Sequence, residues 1–392
     1  MDRGKEKTTA PYPPVGADGG QPLSQKPNQS IAEEQTEHKP QERDFREILR
    51  QIDRVNDPAY LPSLSMNELY DRVFPSKPPV VEGLLYPGVY LFVGAPKVGK
   101  SFLMAQLAYH VSMGLPLWGY EVRRGAVLYL ALEDDYPRLQ ERLYRMFGAD
   151  SAGGLFLSIS AHTLGGGLEK QLEGFVQEHP DTRLIIIDTL QKIRETGDER
   201  YSYASDYEVI TKLKRFADAS GVCVLLVHHT RKQQADDRFD KISGTNGLMG
   251  AADGAFLLQK ERRTDSAAML DISGRDLQDQ RLYLKKDEER LVWELERRET
   301  ELHKEPPDPV LEAVAALVTA ERPEWNGTAT DLAAVLGLDI QPNALTKRLN
   351  VRAGKLLLDF HIGYTNTHIR TGSRIRPVSY THLRAHETEA DL

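Results

Sequence analysis

The sequence predicts an α/β protein whose mostly parallel central sheet is covered by crossover helices, with a disordered N-terminal tail and a small C-terminal helix-and-hairpin domain. Three observations predict it. Between residues 61 and 295, short β-branched runs alternate with longer amphipathic stretches, as strands joined by helices do. The segment Glu305-Pro306-Pro307-Asp308-Pro309 then breaks the chain stiffly. Residues 1–43 are rich in Pro, Gly, Gln, Glu and Lys with almost no large apolar side chains, and cannot bury enough surface to offset ordering entropy. The expected units are therefore 1–60 (tail and linker), 61–300 (α/β domain), 309–376 (small domain) and 377–392.

In chain order, strands are expected at 89–93, 126–131, 184–187, 222–227, 255–258 and 269–272. Several are continuous apolar runs, which suits strands covered on both faces. The stretch 102–111 reads as an amphipathic helix. Residues 282–284 and 291–293 flank the polar turn Lys286-Asp287-Glu288-Glu289 and read as a hairpin at the sheet edge. Beyond the linker, 310–376 reads as helix, helix, helix, hairpin. Thr328 and Asp331 make a capping box, Gly337 ends that helix, and Pro342 opens the next, with the stripe Leu345, Leu349, Ala353 and Leu356. The hairpin turns at Thr371-Gly372-Ser373, giving a winged-helix-like unit. Residues 379–388 resemble translated sequencing-adapter DNA and are set aside as a non-native tail.

Composition narrows the classes. The chain of 392 residues is 40% hydrophobic and 28% charged, as a globular enzyme is. One cysteine, Cys223, excludes an intramolecular disulfide and a cysteine-built zinc cluster, and fits a reducing, cytoplasmic setting. No run approaches the roughly 20 apolar residues that span a bilayer, so no membrane partner is expected. A net charge of -8 argues against coating nucleic acid with the whole surface; any contact must come from local basic patches.

Chemistry concentrates where the first strand ends. Gly94, Ala95, Pro96, Lys97, Val98, Gly99, Lys100 and Ser101 fit the phosphate-binding loop GxxxxGK[ST], between an apolar strand and a helix that opens at Phe102. Its glycines let main-chain N–H groups point at phosphate oxygens, Lys100 reaches the β- and γ-phosphates, and the Ser101 hydroxyl ligates Mg2+. ATP with Mg2+ is the expected cofactor pair. Leu184-Ile185-Ile186-Ile187-Asp188 supplies a second metal group, Asp188, at a strand tip. Glu133, just past the strand 126–131, is the candidate for orienting the lytic water, with Asp134 and Asp135 behind it. The strand 222–227 leads into His228 and His229; His229 is the candidate γ-phosphate sensor, the alternative being a structural histidine.

Together and in this order these motifs resemble the RepA-like hexameric helicases, a RecA-fold family of plasmids, phages and other mobile elements. The matching runs are Pro96-Lys97-Val98-Gly99-Lys100-Ser101, Leu130-Ala131-Leu132-Glu133-Asp134, Ile187-Asp188-Thr189-Leu190, Val227-His228-His229-Thr230-Arg231-Lys232 and Ser243-Gly244-Thr245-Asn246-Gly247. The resemblance implies a RecA-like ATPase, Glu133 as the catalytic carboxylate, His229 as sensor, and a homo-hexameric ring with ATP between subunits. It implies single-stranded or replication-fork DNA as substrate, with an initiator or loader as partner. Arg275, in Ser273-Gly274-Arg275, is similar to the trans-acting arginine finger of related helicases; a surface salt bridge is the alternative. Channel-lining loops would carry Lys192, Arg194 and Arg200, then Arg231, Lys232, Arg238 and Lys241, interrupted by Asp198, Glu199, Asp236, Asp237 and Asp240. In the small domain, Lys347, Arg348, Arg352, Lys355, Arg370, Arg374 and Arg376 face only Asp359 within 341–376, which suits a helix in a DNA groove or a protein contact.

Overall fold

The computed structural model describes residues 57–75, 77–194, 203–229, 246–262, 264–299, 306–319, 321–369 and 372–379. The expected disordered tail, the closing segment 380–392, Arg370, and Arg200, Arg231, Lys232, Arg238 and Lys241 of the expected channel loops lie outside them.

The first part of the chain runs α1 (Met66–Asp71), β1 (Gly88–Gly94), α2 (Lys100–Met113), β2 (Ala126–Ala131), α3 (Tyr136–Phe147), β3 (Leu155–Ser158), α4 (Leu168–Glu178), β4 (Thr182–Asp188), α5 (Leu190–Ile193), α6 (Tyr203–Ser220) and β5 (Cys223–His229). It continues with α7 (Asn246–Ala251), β6 (Gly254–Gln259), β7 (Ala267–Gly274), β8 (Leu277–Lys286) and β9 (Trp293–Arg298). Among the described residues the strands form one 9-stranded sheet, ordered β3-β2-β4-β5-β1-β6-β7-β8-β9. Every neighbouring pair from β3 to β6 is parallel, and β7, β8 and β9 extend the sheet antiparallel. The mixed α/β sheet is as the sequence predicts.

Both faces are covered, which explains the continuous apolar runs. Tyr90, Phe92, Tyr129 and Leu225 meet Met104, Leu107 and Val111 of α2 on one face. On the other, Leu91, Leu130, Ile185 and Ile187 meet Leu168, Leu172, Leu213 and Phe216. Burying one such side chain contributes roughly 1.5–3 kcal/mol, so these two layers hold the sheet.

Three elements differ from expectation. β3 was not foreseen: its apolar run, Leu155-Phe156-Leu157, is short, and as an edge strand it is only half-buried. α2 is not amphipathic but is buried nearly all round, because it packs on β2 and β4 and meets β9 as well. The second hairpin strand is Trp293–Arg298 rather than 291–293, since Leu291 adopts the left-handed conformation (φ 60°) and belongs to the turn.

The remainder is α8 (Pro309–Leu317), β10 (Gly327–Thr328), α9 (Ala329–Leu336), α10 (Pro342–Phe360), β11 (Ile362–Ile369) and β12 (Gly372–Ser379). The strands form their own sheet, β10-β12-β11. The capping box of Thr328 with Asp331 and the left-handed Gly337 bound α9 as the sequence predicts. Leu345, Leu349, Ala353 and Leu356 pack on Leu311, Val314, Trp325 and Leu332 in a core of their own.

Candidate active site

Four adjacent parallel strands, β2, β4, β5 and β1, deliver their C-terminal ends to one edge of the sheet. Open α/β sheets bind ligands at that edge. Here it carries Glu133 after β2, Asp188 ending β4, His229 ending β5 and residues 94–101 after β1. In register, Gly94 lies opposite His229 and Ala131 opposite Asp188.

The loop is shaped by its glycines. Gly99 has φ +106°, and a Cβ there would sit 2.8 Å from the Trp293 ring; at Gly94 it would meet the Leu258 carbonyl oxygen at 2.7 Å. Lys97 also takes a left-handed φ of 64°, which turns the chain into α2. Trp293 therefore forms a wall behind the loop, its Nε1 donating to the Gly99 carbonyl at 3.3 Å. Gln106 fixes that wall with two hydrogen bonds: its Oε1 accepts from the Trp293 amide at 2.7 Å, and its Nε2 donates to the Trp293 carbonyl at 2.9 Å.

Lys100 is buried, and its ammonium donates to the Gly94 carbonyl (2.9 Å), the Ala95 carbonyl (3.0 Å) and Nδ1 of His229 (3.0 Å). Burial pulls its pKa down to about 8, against the opposing pull of Asp188 and Glu133. Because the ammonium can only donate, Nδ1 of His229 accepts, and the ring is the neutral tautomer protonated on Nε2. Burial and the Lys100 charge both lower the pKa of His229 and favour that form. The Ser101 hydroxyl donates to Oδ2 of Asp188 at 2.7 Å, and the Tyr129 hydroxyl donates to the same oxygen at 3.1 Å. Burial raises the pKa of Asp188, while these two hydrogen bonds oppose it.

Glu133 is exposed, and its Oε1 accepts from the buried Thr189 hydroxyl at 3.2 Å. Asp134 and Asp135 are otherwise engaged. Asp135 caps α3, accepting from the Arg138 amide at 2.9 Å, and Asp134 pairs with Arg142 at 2.5 Å. The structure thus gathers Lys100, Ser101, Asp188, His229 and Glu133. Phe102 stands one residue further along α2, half-buried. Arg275 is elsewhere: it follows β7, whose last residue Gly274 pairs with Gly254 at the start of β6, so it occupies the opposite sheet edge. Its Nη2 donates to the Gly250 carbonyl at 2.8 Å.

Sequence reading missed Tyr129, Thr189 and Trp293. Thr189 carried a signal, standing next to Asp188 in a recognised run; Tyr129 and Trp293 looked like ordinary core. The donor set suits magnesium. One hydroxyl and one carboxylate converge, both hard oxygen donors, and among the described residues no group of three or more His, Cys, Asp or Glu forms a protein-only metal cage. Mg2+ binds through one or two carboxylates with waters and substrate phosphates rather than in such a cage.

The basic face of the small domain is less free than its local sequence indicates. Arg348 pairs with Asp308 at 3.0 Å and Arg376 with Glu324 at 2.6 Å, while Arg374 donates to Asn326 at 2.8 Å and Lys347 to Asn67 at 3.3 Å. All four partners lie outside 341–376, so counting charges within that window overstates the imbalance. Among the described residues, no helix is long and apolar enough to cross a membrane.

A family model described as an AAA domain matches residues 55–235. No curated protein matches the chain. Among solved structures, the ATPase domain of G40P is similar at 15% identity and TM-score 0.45, over 64% of this chain and 97% of that one. A DnaB-like replicative helicase, in a structure describing its interactions with primase, matches at 15% identity and TM-score 0.47, over 64% and 71%. A KaiC-like protein, PH0186 of Pyrococcus horikoshii OT3, matches at 15% identity and TM-score 0.42, over 58% and 99%.

Proposed function

We propose that this chain is a RecA-type ATPase motor that drives a replicative helicase or translocase along single-stranded DNA, working as a homo-hexamer in the replication of a mobile element. The observation that supports it most is the convergence of Lys100, Ser101, Asp188, His229 and Glu133 on one sheet edge. The AAA-domain match over 55–235 spans the same residues up to and including His229.

In this reading the amides of residues 94–101 and the N-terminus of α2 hold the triphosphate. Lys100 turns its ammonium from its own loop carbonyls to the β- and γ-phosphate oxygens. Ser101 and Asp188 would hold Mg2+, which when bound neutralises charge on the phosphates. Glu133 orients the attacking water, and its carboxylate accepts the water's proton as the γ-phosphorus–oxygen bond breaks to release ADP and phosphate. Thr189, buried at the tip of the neighbouring strand, fixes Glu133 in direction. His229 gives up its bond from Lys100 when that ammonium turns to phosphate, and so couples γ-phosphate to the chain following β5.

Arg275 cannot reach the site of its own subunit from the opposite sheet edge. In a head-to-tail ring that edge is free to meet the next subunit's nucleotide, so a finger role is assigned to it there.

Strand displacement tests the motor. The purified chain is expected to unwind a forked duplex only with ATP, and Lys100→Ala to abolish this. DNA-stimulated hydrolysis without unwinding would replace the helicase reading by a DNA-bound switch ATPase. Nucleotide-dependent assembly without hydrolysis would replace it by a replicon-binding protein.

A further inference from the structure

Two cations lie against the first turn of α2 on the side of Phe102. The Phe102 ring lies beside the Lys286 ammonium, 3.6 Å from the ring centroid, and the Arg142 guanidinium, 5.2 Å from it. Lys286 ends β8, which runs in the same direction as β1, so the sheet carries it to the edge that holds Gly94. Lys260, the first residue after β6, reaches the same edge; its ammonium lies 5.4 Å from the Trp293 ring centroid and donates to the Asp265 carbonyl at 2.6 Å. Arg145 of α3 donates to the carbonyls of Glu288 and Glu289, each at 2.8 Å.

Among the described residues, Arg142 is the one of these four cations that pairs with a carboxylate, that of Asp134. Among the described residues, the Lys286 ammonium lies over an aromatic face. Partial burial and the charges of Lys260, Arg145 and Arg142 bring its pKa down to about 8. A half-buried rim of like charges costs free energy unless an anion joins it. No hydrogen bond or ion pair among the described residues joins the rim to Lys100, Asp188, Glu133 or His229, so it stands apart from the groups assigned to the γ-phosphate. Yet two of its members, Lys286 and Arg142, face the ring of the residue directly after Ser101.

We propose that Lys286, which shares the Phe102 ring with Arg142 and has Lys260 nearby over the Trp293 ring, is a second anion subsite that holds the α-phosphate end of the bound nucleotide. The proposal rests on the ATPase reading above and assigns the nucleotide's other end. It gives the antiparallel extension a purpose: β8 carries a cation to a site that the parallel strands begin.

Calorimetric titration of the full chain with ADP and with a non-hydrolysable ATP analogue tests it. Lys286→Ala is expected to raise both Kd values equally, by about tenfold, the scale of one charge-assisted contact, and Lys286→Arg to restore them. An unchanged Kd for both ligands would overturn the proposal, as would a loss confined to the ATP analogue, which would place Lys286 at the γ-phosphate. Unchanged binding with altered sedimentation would also overturn it and give the rim to a neighbouring copy. Thermal melting of each variant separates these outcomes from misfolding. If the wild type binds neither ligand, the ATPase reading itself falls; if it binds both and Lys286→Ala does too, only the subsite falls.

Discussion

In the proposed reading, Lys100 and Glu133 divide the work of the site between holding and cutting. Lys100 is buried and donates its hydrogen bonds to neutral acceptors, while Asp188 and Glu133 act on its charge without bonding to it, so phosphate oxygens can replace those neutral partners. Lys100→Ala should weaken nucleotide binding by well over about tenfold, read by calorimetry. Glu133 is exposed and held by one hydroxyl. Glu133→Gln should leave binding within about twofold of wild type while lowering the hydrolysis rate by roughly 10²–10⁴-fold. Lys286 adds a pH signature. Its folded pKa of about 8 lies below the model-compound value of 10.5, so the unfolded chain keeps that proton to higher pH. Stability contributed at this position is therefore reduced below about pH 8 and recovers as pH rises from 8 toward 10.5. The melting temperature of Lys286→Met relative to wild type should fall steadily over that window; a constant difference would contradict the assignment of charge strain to this lysine.

The elements that present these residues were legible to different degrees. The loop, Asp188 and Glu133 could be read because each sits at the end of an apolar run, and both the run and the terminal residue are local in sequence. The wall behind the loop could not. Trp293 lies almost two hundred positions from Gly99, and only the curl of β9 against α2 brings them together. The same contact makes α2 buried all round and hides its helical periodicity. Trp293→Ala should therefore cost about 3–5 kcal/mol in denaturant unfolding, as a large core truncation does, and should also weaken nucleotide binding because Gly99 loses its support. Trp293→Phe keeps the volume approximately and should retain most of the stability. If Trp293→Ala destabilised the fold but left nucleotide affinity untouched, the wall would be structural alone.

At the scale of the whole molecule, the basic residues of the small domain are tied to groups elsewhere in the chain. The chain-local view showed seven basic residues against one acid; the folded chain pairs Arg348, Arg374, Arg376 and Lys347 with groups that no window of that size contains. Asn350 ties α1 to β11. It donates to the Tyr70 carbonyl at 3.0 Å and accepts from the Tyr364 hydroxyl at 3.0 Å and from Asn366 at 3.1 Å. Asn350→Ala leaves a buried hydroxyl and a carbonyl unsatisfied and should cost about 1–3 kcal/mol in thermal or denaturant unfolding. If the chain assembles as the proposed ring with Arg275 as its finger, Arg275→Ala should lower hydrolysis while leaving nucleotide affinity near wild type, and mixing it with Lys100→Ala subunits should restore part of the activity at mixed interfaces.

The central claim is that this sheet edge hydrolyses ATP with Glu133 addressing the water. The most direct measurement is phosphate release by wild type and Glu133→Gln under saturating Mg-ATP, with nucleotide occupancy measured on the same samples. Full occupancy in both, with turnover in the wild type alone, is the predicted result. Equal turnover in the two proteins, or none in a fully occupied wild type, would contradict it.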